Sequence, residues 1–238
     1  MKTTRVLFSF FLFFAGIMLC NAQFPVSIKQ ILDPGKGGLS EKDAAAGIRE
    51  ALVKGTGASV AIVSKLDGYL GNQEIKIPFP PEAKEIESKL RAIGLGSQVD
   101  EVVVSLNRAA EDAAKSAEPV FVAAIKGMSI SEAINIVKGN NDAATRYLEK
   151  TTSPELKVKF NPIIKTSLDK VDATRLWTEL ITKYNQIPFV KKQNPDLADY
   201  VTDKTITGLF VMVAKEEAKI RKDPAARVTE LLKKVFGN

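Results

Sequence analysis

Histidine is missing from the whole 238-residue sequence. Its absence removes the usual general base, the commonest metal ligand and every serine–histidine or cysteine–histidine nucleophile. A catalyst built on this chain would have to work with carboxylates, lysines or tyrosines. Cysteine is nearly as scarce, with Cys20 as its single occurrence. One cysteine makes neither a disulfide framework nor a cysteine-based metal site. The sequence also has no glycine-rich phosphate loop, dinucleotide fingerprint or zinc spacing, and no cofactor or metal is expected. A strong excess of one charge is lacking too. The formal net charge is +6 with lysine and glutamate interspersed, the pattern of a solvated surface rather than a nucleic-acid footprint.

What is present begins with one long apolar run, Val6 to Leu19, behind Lys2 and Arg5 and ahead of Cys20-Asn21-Ala22. A charged start, an apolar centre and small residues at a cleavage point read as a secretory signal peptide, too short for a stable membrane span. Cleavage before Gln23 predicts a periplasmic or secreted protein of 216 residues with no cysteine. The competing expectation is a lipoprotein anchored through Cys20, against which stands Leu19, where that processing wants a small residue. Residues 1–22 are thus assigned to the signal and 23–39 to an N-terminal segment ending in the connector Asp33 to Gly38. Residues 40–238 are assigned to a single all-helical domain. No transmembrane segment is expected once the signal is gone.

From Ser40 onward apolar residues recur at helical spacing, and the punctuation is that of helix ends. Ser40 and the Ser129-to-Glu132 box are N-terminal caps, as are Ser97 with Asp100 and Asn141-Asp142. Gly94, Gly127 and Gly139 are stops, and Gly139 is expected in the left-handed conformation. Ile48, Leu52, Ile62 and Leu66 form one stripe. The segment Ile75 to Pro81 is extended, because prolines bias their predecessors away from helix. Ser153-Pro154 reads as a fresh helix start, so Ile134 to Leu156 is expected as helix, corner, helix, corner, helix. Asn161-Pro162 is either a kink or another start. Further stripes occupy residues 176–184, a long helix reaching about Lys222, and a last helix with Val228, Leu231, Leu232 and Val235 inward. The expected fold is an irregular all-α bundle of about nine or ten helices without a substantial sheet.

These segments resemble a bacterial family without assigned activity, domain of unknown function 4197. The matching pieces are Leu66 to Asn72, the Ile75 to Pro78 stretch, Asn107 to Glu111, Asn141 to Leu156, Lys183 to Pro188, Asp196 to Phe210 and Glu216 to Gly237. The resemblance implies an exported, all-helical protein and brings no catalytic residues with it.

Six residues stand out as candidates for binding. Asp67 and Tyr69 put a carboxylate and a phenol on a turn, where rigid scaffolds often carry function. The plainer alternative is that Asp67 closes the turn, Gly68 takes positive φ and Tyr69 packs its ring. Asn107, Arg108 and Glu111 are polar residues beside an apolar stripe, and Arg108 is expected to pair with Glu216, Glu217 or Asp203. Tyr147 belongs to an aromatic set with Trp177, Tyr184 and Tyr200 that could line an apolar cavity. Ser167 to Lys170 spells S-x-x-K without the companion elements that such enzymes need. No catalytic residue is assigned. Three functions stay open: a non-catalytic binding or structural protein of the envelope, a carrier of an apolar ligand, and a carboxylate-dependent hydrolase. The corresponding partners are an envelope protein or an apolar ligand; nucleic acid is not expected.

Overall fold

The computed structural model describes residues 40–170 apart from 93 and 95, and residues 196–222, with single positions between 174 and 192. Seven α-helices lie among the described residues, with no strand. Helix α1 (Glu41–Val63) starts where Ser40 Oγ accepts the Asp43 amide. A 3₁₀ turn (Pro81–Ala83) leads into α2 (Lys84–Ala92), whose exit uses a left-handed Gly94 at φ +87°. Then follow α3 (Gly96–Ala114), α4 (Ala117–Gly127), α5 (Ile130–Lys138), α6 (Ala143–Asp169) and α7 (Leu197–Lys222). The capping box of α5 is complete: Ser129 Oγ accepts the Glu132 amide, and the Glu132 carboxylate accepts the Ser129 amide. That carboxyl sits below its usual pKa because of these Ser129 hydrogen bonds.

One expected stretch of the bundle is built differently. Asn141 to Asp169 is one corner followed by one 27-residue helix, with Pro154 and Pro162 inside it. A proline removes its own N–H bond and leaves the carbonyl four residues back unbonded. Here both prolines lie on the outer face with Val158, which is 74% exposed, so water can serve the freed carbonyls. Leu148, Thr152, Leu156, Phe160, Ile164 and Leu168 form the buried face, two residues or about 200° away. Hydroxyls reinforce the turn before Pro154: Thr151, Thr152 and Ser153 donate to the carbonyls of Tyr147, Leu148 and Glu149. A start signal is therefore read correctly and overridden by burial of the opposite face, each large side chain of which contributes about 1.5–3 kcal/mol.

Other local expectations need correction as well. Gly139 has φ −79° and ψ −178°, ordinary extended backbone, and an added Cβ would instead meet the Ala143 Cβ at 2.6 Å. Asp142 does not cap α6 with its side chain but pairs with Arg146. Asp100 does not cap α3 and binds Arg91 at 2.8 Å. Leu66 lies beyond the end of α1 and is 72% exposed. The expected helices at 176–184 and 223–237 fall largely or wholly outside the described residues.

Helix α7 packs against α6, α1 and α3, while α6 also meets α3 and α4, and α1 meets α4 and α5. The larger apolar cluster includes Phe121 and Phe210, edge to face at 5.9 Å. A smaller one joins Ile48, Met128, Ala133, Ile136 and Ala144, with Leu52 and Tyr147 touching both. Among the described residues no single helix is long and apolar enough to cross a membrane.

Candidate functional site

After Val63 the chain leaves α1 through a series of turns, with Lys65, Asp67 and Tyr69 carbonyls accepting amides three or four residues on. Positive φ falls on Asp67 (+63°) rather than on the expected Gly68. Aspartate is one of the few residues that visits this region at modest cost. The turn sends Tyr69 inward, fully buried, where its hydroxyl donates to the Thr205 carbonyl of α7 at 2.6 Å. Burial pushes its phenol well above the ordinary tyrosine pKa, and the charge of Glu111 adds to the effect. Gly208, one turn further along α7, makes this possible: a Cβ there would sit 2.7 Å from the Tyr69 ring and 3.1 Å from Ile75.

Helix α3 supplies the other half. Asn107 and Glu111, four residues apart and hence on one face, are both buried, and Arg108 lies at the edge of that face. Glu111 Oε1 accepts the amides of Tyr69 and Leu70 at 3.1 and 3.2 Å. Its Oε2 receives Arg108 Nη1 at 2.6 Å, and Arg108 Nη2 reaches Asp67 Oδ1 at 2.7 Å. Those two acids raise the Arg108 pKa further. Asn107 brackets one residue of the extended stretch, accepting from the Ile77 amide and donating to the Ile77 carbonyl, both at 2.8 Å. The side-chain amide thus stands in for a neighbouring strand, of which there is none among the described residues. Tyr200 holds the next residue through its hydroxyl on the Pro78 carbonyl.

Five of the six candidates are therefore brought together: Asp67, Tyr69, Asn107, Arg108 and Glu111. The pairing of Arg108 with α7 is not found, because the turn after α1 comes between and presents Asp67 first. Tyr147 stands apart on α6, half-buried between the two apolar clusters. Burial raises its phenol, with Glu132 adding and Arg49 opposing.

A second construction of the same kind was not anticipated. Glu217 of α7 accepts the Ala144 amide at 3.1 Å, and the Thr145 amide and hydroxyl at 2.9 and 2.8 Å. It caps α6 from another helix, which explains why Asp142 is not needed for that. Arg221, one turn on, donates to Glu217 at 2.8 Å and to the Ile136 carbonyl at 2.9 Å. The Glu217/Arg221 spacing of four was the available signal; the partner 72 residues away was not. Beside this pair lies a recess lined by Ile48, Ala51, Leu52, Gly55, Val213 and Ile220, among others. Its cavity volume is about 30 Å³, room for about two waters. Ligand sites usually offer roughly 300–1,000 Å³.

Chemically, these groups are engaged. Every polar atom described for Glu111, Asn107 and Glu217 answers backbone or arginine. Arg108 fills the gap between its two acids, where a hydrolase would admit substrate and water. Among the described residues no three His, Cys, Asp or Glu residues are grouped to hold a metal.

The chain belongs to the family described as protein of unknown function (DUF4197), whose model matches residues 38–237. No curated protein and no solved structure matches it.

Proposed function

We propose that this member of the family is an exported, non-catalytic binding or structural protein of the bacterial envelope. The observation that carries the reading is how its buried polar groups are used. Glu111 and Glu217 are bound to the chain's own amides and arginines, and Asn107 to its own backbone, so among the described residues no buried carboxylate is left as an acid or base for a substrate. With no histidine in the chain, the commonest general base, the proton acceptor of many hydrolases, is missing. Recognition would then fall to the exposed surface of a rigid helical body. The signal-like Lys2-to-Ala22 pattern supports export, and the folded part is expected to act as one domain.

The test has two parts. Mass spectrometry of the product made with its own leader in a bacterial host should find a chain beginning at Gln23 without lipid. A chain beginning at a lipidated Cys20 would keep the envelope location and overturn the soluble form, since a lipid changes a diffusing protein into a membrane-held one. In vivo cross-linking of the same product should then give discrete adducts with envelope proteins. Turnover of an envelope polymer, abolished by Asp67→Asn in a folded variant, would overturn the non-catalytic reading. The size of the recess weighs against the apolar-ligand carrier.

A further inference from the structure

The clasp between α3 and the turn after α1 has an outer side that its own bonds leave open. On α3, Glu101, Val104, Arg108 and Asp112 follow at three- and four-residue steps and so form one ridge. Val104 is exposed on it, whereas Val99, Val102 and Val103 pack on the core. Leu66, also exposed, adjoins the Asp67 that Arg108 binds. Two large apolar side chains left in water thus border one ion pair. Scattered singly such side chains need no explanation, but grouped and rimmed by charge they mark a binding surface. The surface is also set in advance. Glu111 holds the Tyr69 and Leu70 amides, and a Cβ on Gly68 would run into the Val63 and Ile62 carbonyls. A partner that meets such a turn has little ordering left to impose on it.

Resting on the binding role proposed above, we infer that this ridge and turn dock a partner segment carrying lysine or arginine next to leucine, isoleucine or valine. Charge selects that occupant. Asp67 Oδ1 takes Arg108, and among the described residues no donor reaches its Oδ2, so a second cation has an oxygen to meet. The carboxylates of Asp67, Glu101, Glu111 and Asp112 stand here with Lys65, Arg108 and Lys115, an excess of negative charge on a chain whose formal net charge is +6. Opposite charge steers and registers a partner, and the aliphatic side chains add apolar area to bury. An acidic segment would instead have to displace Asp67 from Arg108. It would do so beside the Glu111 carboxylate, 2.6 Å from the same guanidinium, where like charges repel.

Selection from a phage-displayed library of random peptides, on the exported full-length product, tests this. Peptides that set lysine or arginine beside an aliphatic residue are expected to be enriched. A synthetic copy of the leading sequence should bind the double variant Leu66→Ser, Val104→Ser about tenfold more weakly than wild type. Its affinity for wild type should fall as salt is added. Enrichment of acidic peptides would overturn the proposal and make Arg108 the receptor for a carboxylate. Equal affinity for wild type and the double variant, or no enrichment at all, would overturn it too. Both substituted side chains are exposed, so the variant is expected to fold. If it does not, Glu101→Lys decides, since it reverses a rim charge without touching the clasp. It should weaken the same peptide roughly several-fold, and an unchanged affinity would overturn the proposal. Failure here leaves the wider binding role standing, because cross-linking in the envelope tests that role without reference to this surface.

Discussion

The two buried glutamates solve the same problem in different surroundings. Each accepts two successive backbone amides, Tyr69 and Leu70 for Glu111, Ala144 and Thr145 for Glu217. Each is backed by an arginine on its own helix, three residues before Glu111 and four after Glu217. The arginines differ. The Arg221 side chain is 12% exposed and finishes on a main-chain carbonyl, whereas Arg108 is 35% exposed and finishes on Asp67, itself 56% exposed. The inner clasp also holds a helix N-terminus, whose dipole favours a carboxylate; the outer one holds a turn. An ion pair hidden from water cannot be replaced by solvent when one partner is lost, and one at the surface can. The comparison therefore separates a clasp on which the packing of α6 on α7 depends from one with a wet, replaceable rim.

Glu217→Ala is the harshest way to break it. It removes the carboxylate that Arg221 meets at 2.8 Å and uncovers the Ala144 and Thr145 amides, so the expected loss is about 3–5 kcal/mol. Thermal unfolding measures it, and a loss below about 1 kcal/mol would mean that water enters the clasp freely. Glu111→Ala should cost less, roughly 2–3 kcal/mol, since Arg108 keeps Asp67 and access to water while the Tyr69 and Leu70 amides are orphaned. Equal losses for the two variants would erase the distinction between inner and outer clasp.

Much of this architecture is legible in single residues because its causes are local. Ser40 and the Ser129–Glu132 box act within one turn, and the α7 stripe reaching Lys222 repeats every three or four residues. That Asn107, Arg108 and Glu111 need partners is also legible, since polar residues beside an apolar stripe require them. The identity of those partners was not legible: Arg108 meets Asp67, 41 positions away, because the turn after α1 folds back on α3. The prolines misled for a related reason. Pro154 carries the same start signal whether its helix begins there or passes through, and only the burial of Leu148, Leu156 and Phe160 on the opposite face decides.

Tyr69→Phe sharpens the comparison from the inner side of the outer clasp. It deletes the bond to the Thr205 carbonyl while leaving the ring in place, for an expected loss of about 0.5–1.5 kcal/mol. The pH dependence is the more specific reading. A phenol whose folded pKa lies above its unfolded value gives a contribution fully present below about pH 10 and lost as pH rises beyond it. Wild type should therefore destabilise on the alkaline side, in a limb that Tyr69→Phe reduces. An identical alkaline limb in both proteins would assign that loss to another group, such as Lys157, whose pKa is pushed up to about 12 by Asp203 and Asp199.

The smallest effect is expected at the rim itself. Asp67→Asn keeps a residue that accepts positive φ and removes the charge that Arg108 meets on its outer side. With the Asp67 side chain 56% exposed, solvent screens the pair, and a loss of about 0–1 kcal/mol is expected. Salt should narrow the difference between variant and wild type further, because screening weakens only the protein that has the pair. Denaturant unfolding at low and high ionic strength reads both quantities. A loss above about 2 kcal/mol, insensitive to salt, would show that Asp67 is held as tightly as Glu217, and the turn would then be strained in place by its rim. A small, salt-sensitive loss leaves Arg108 as the one polar group of this clasp whose outer partner a binding protein could replace without unfolding it.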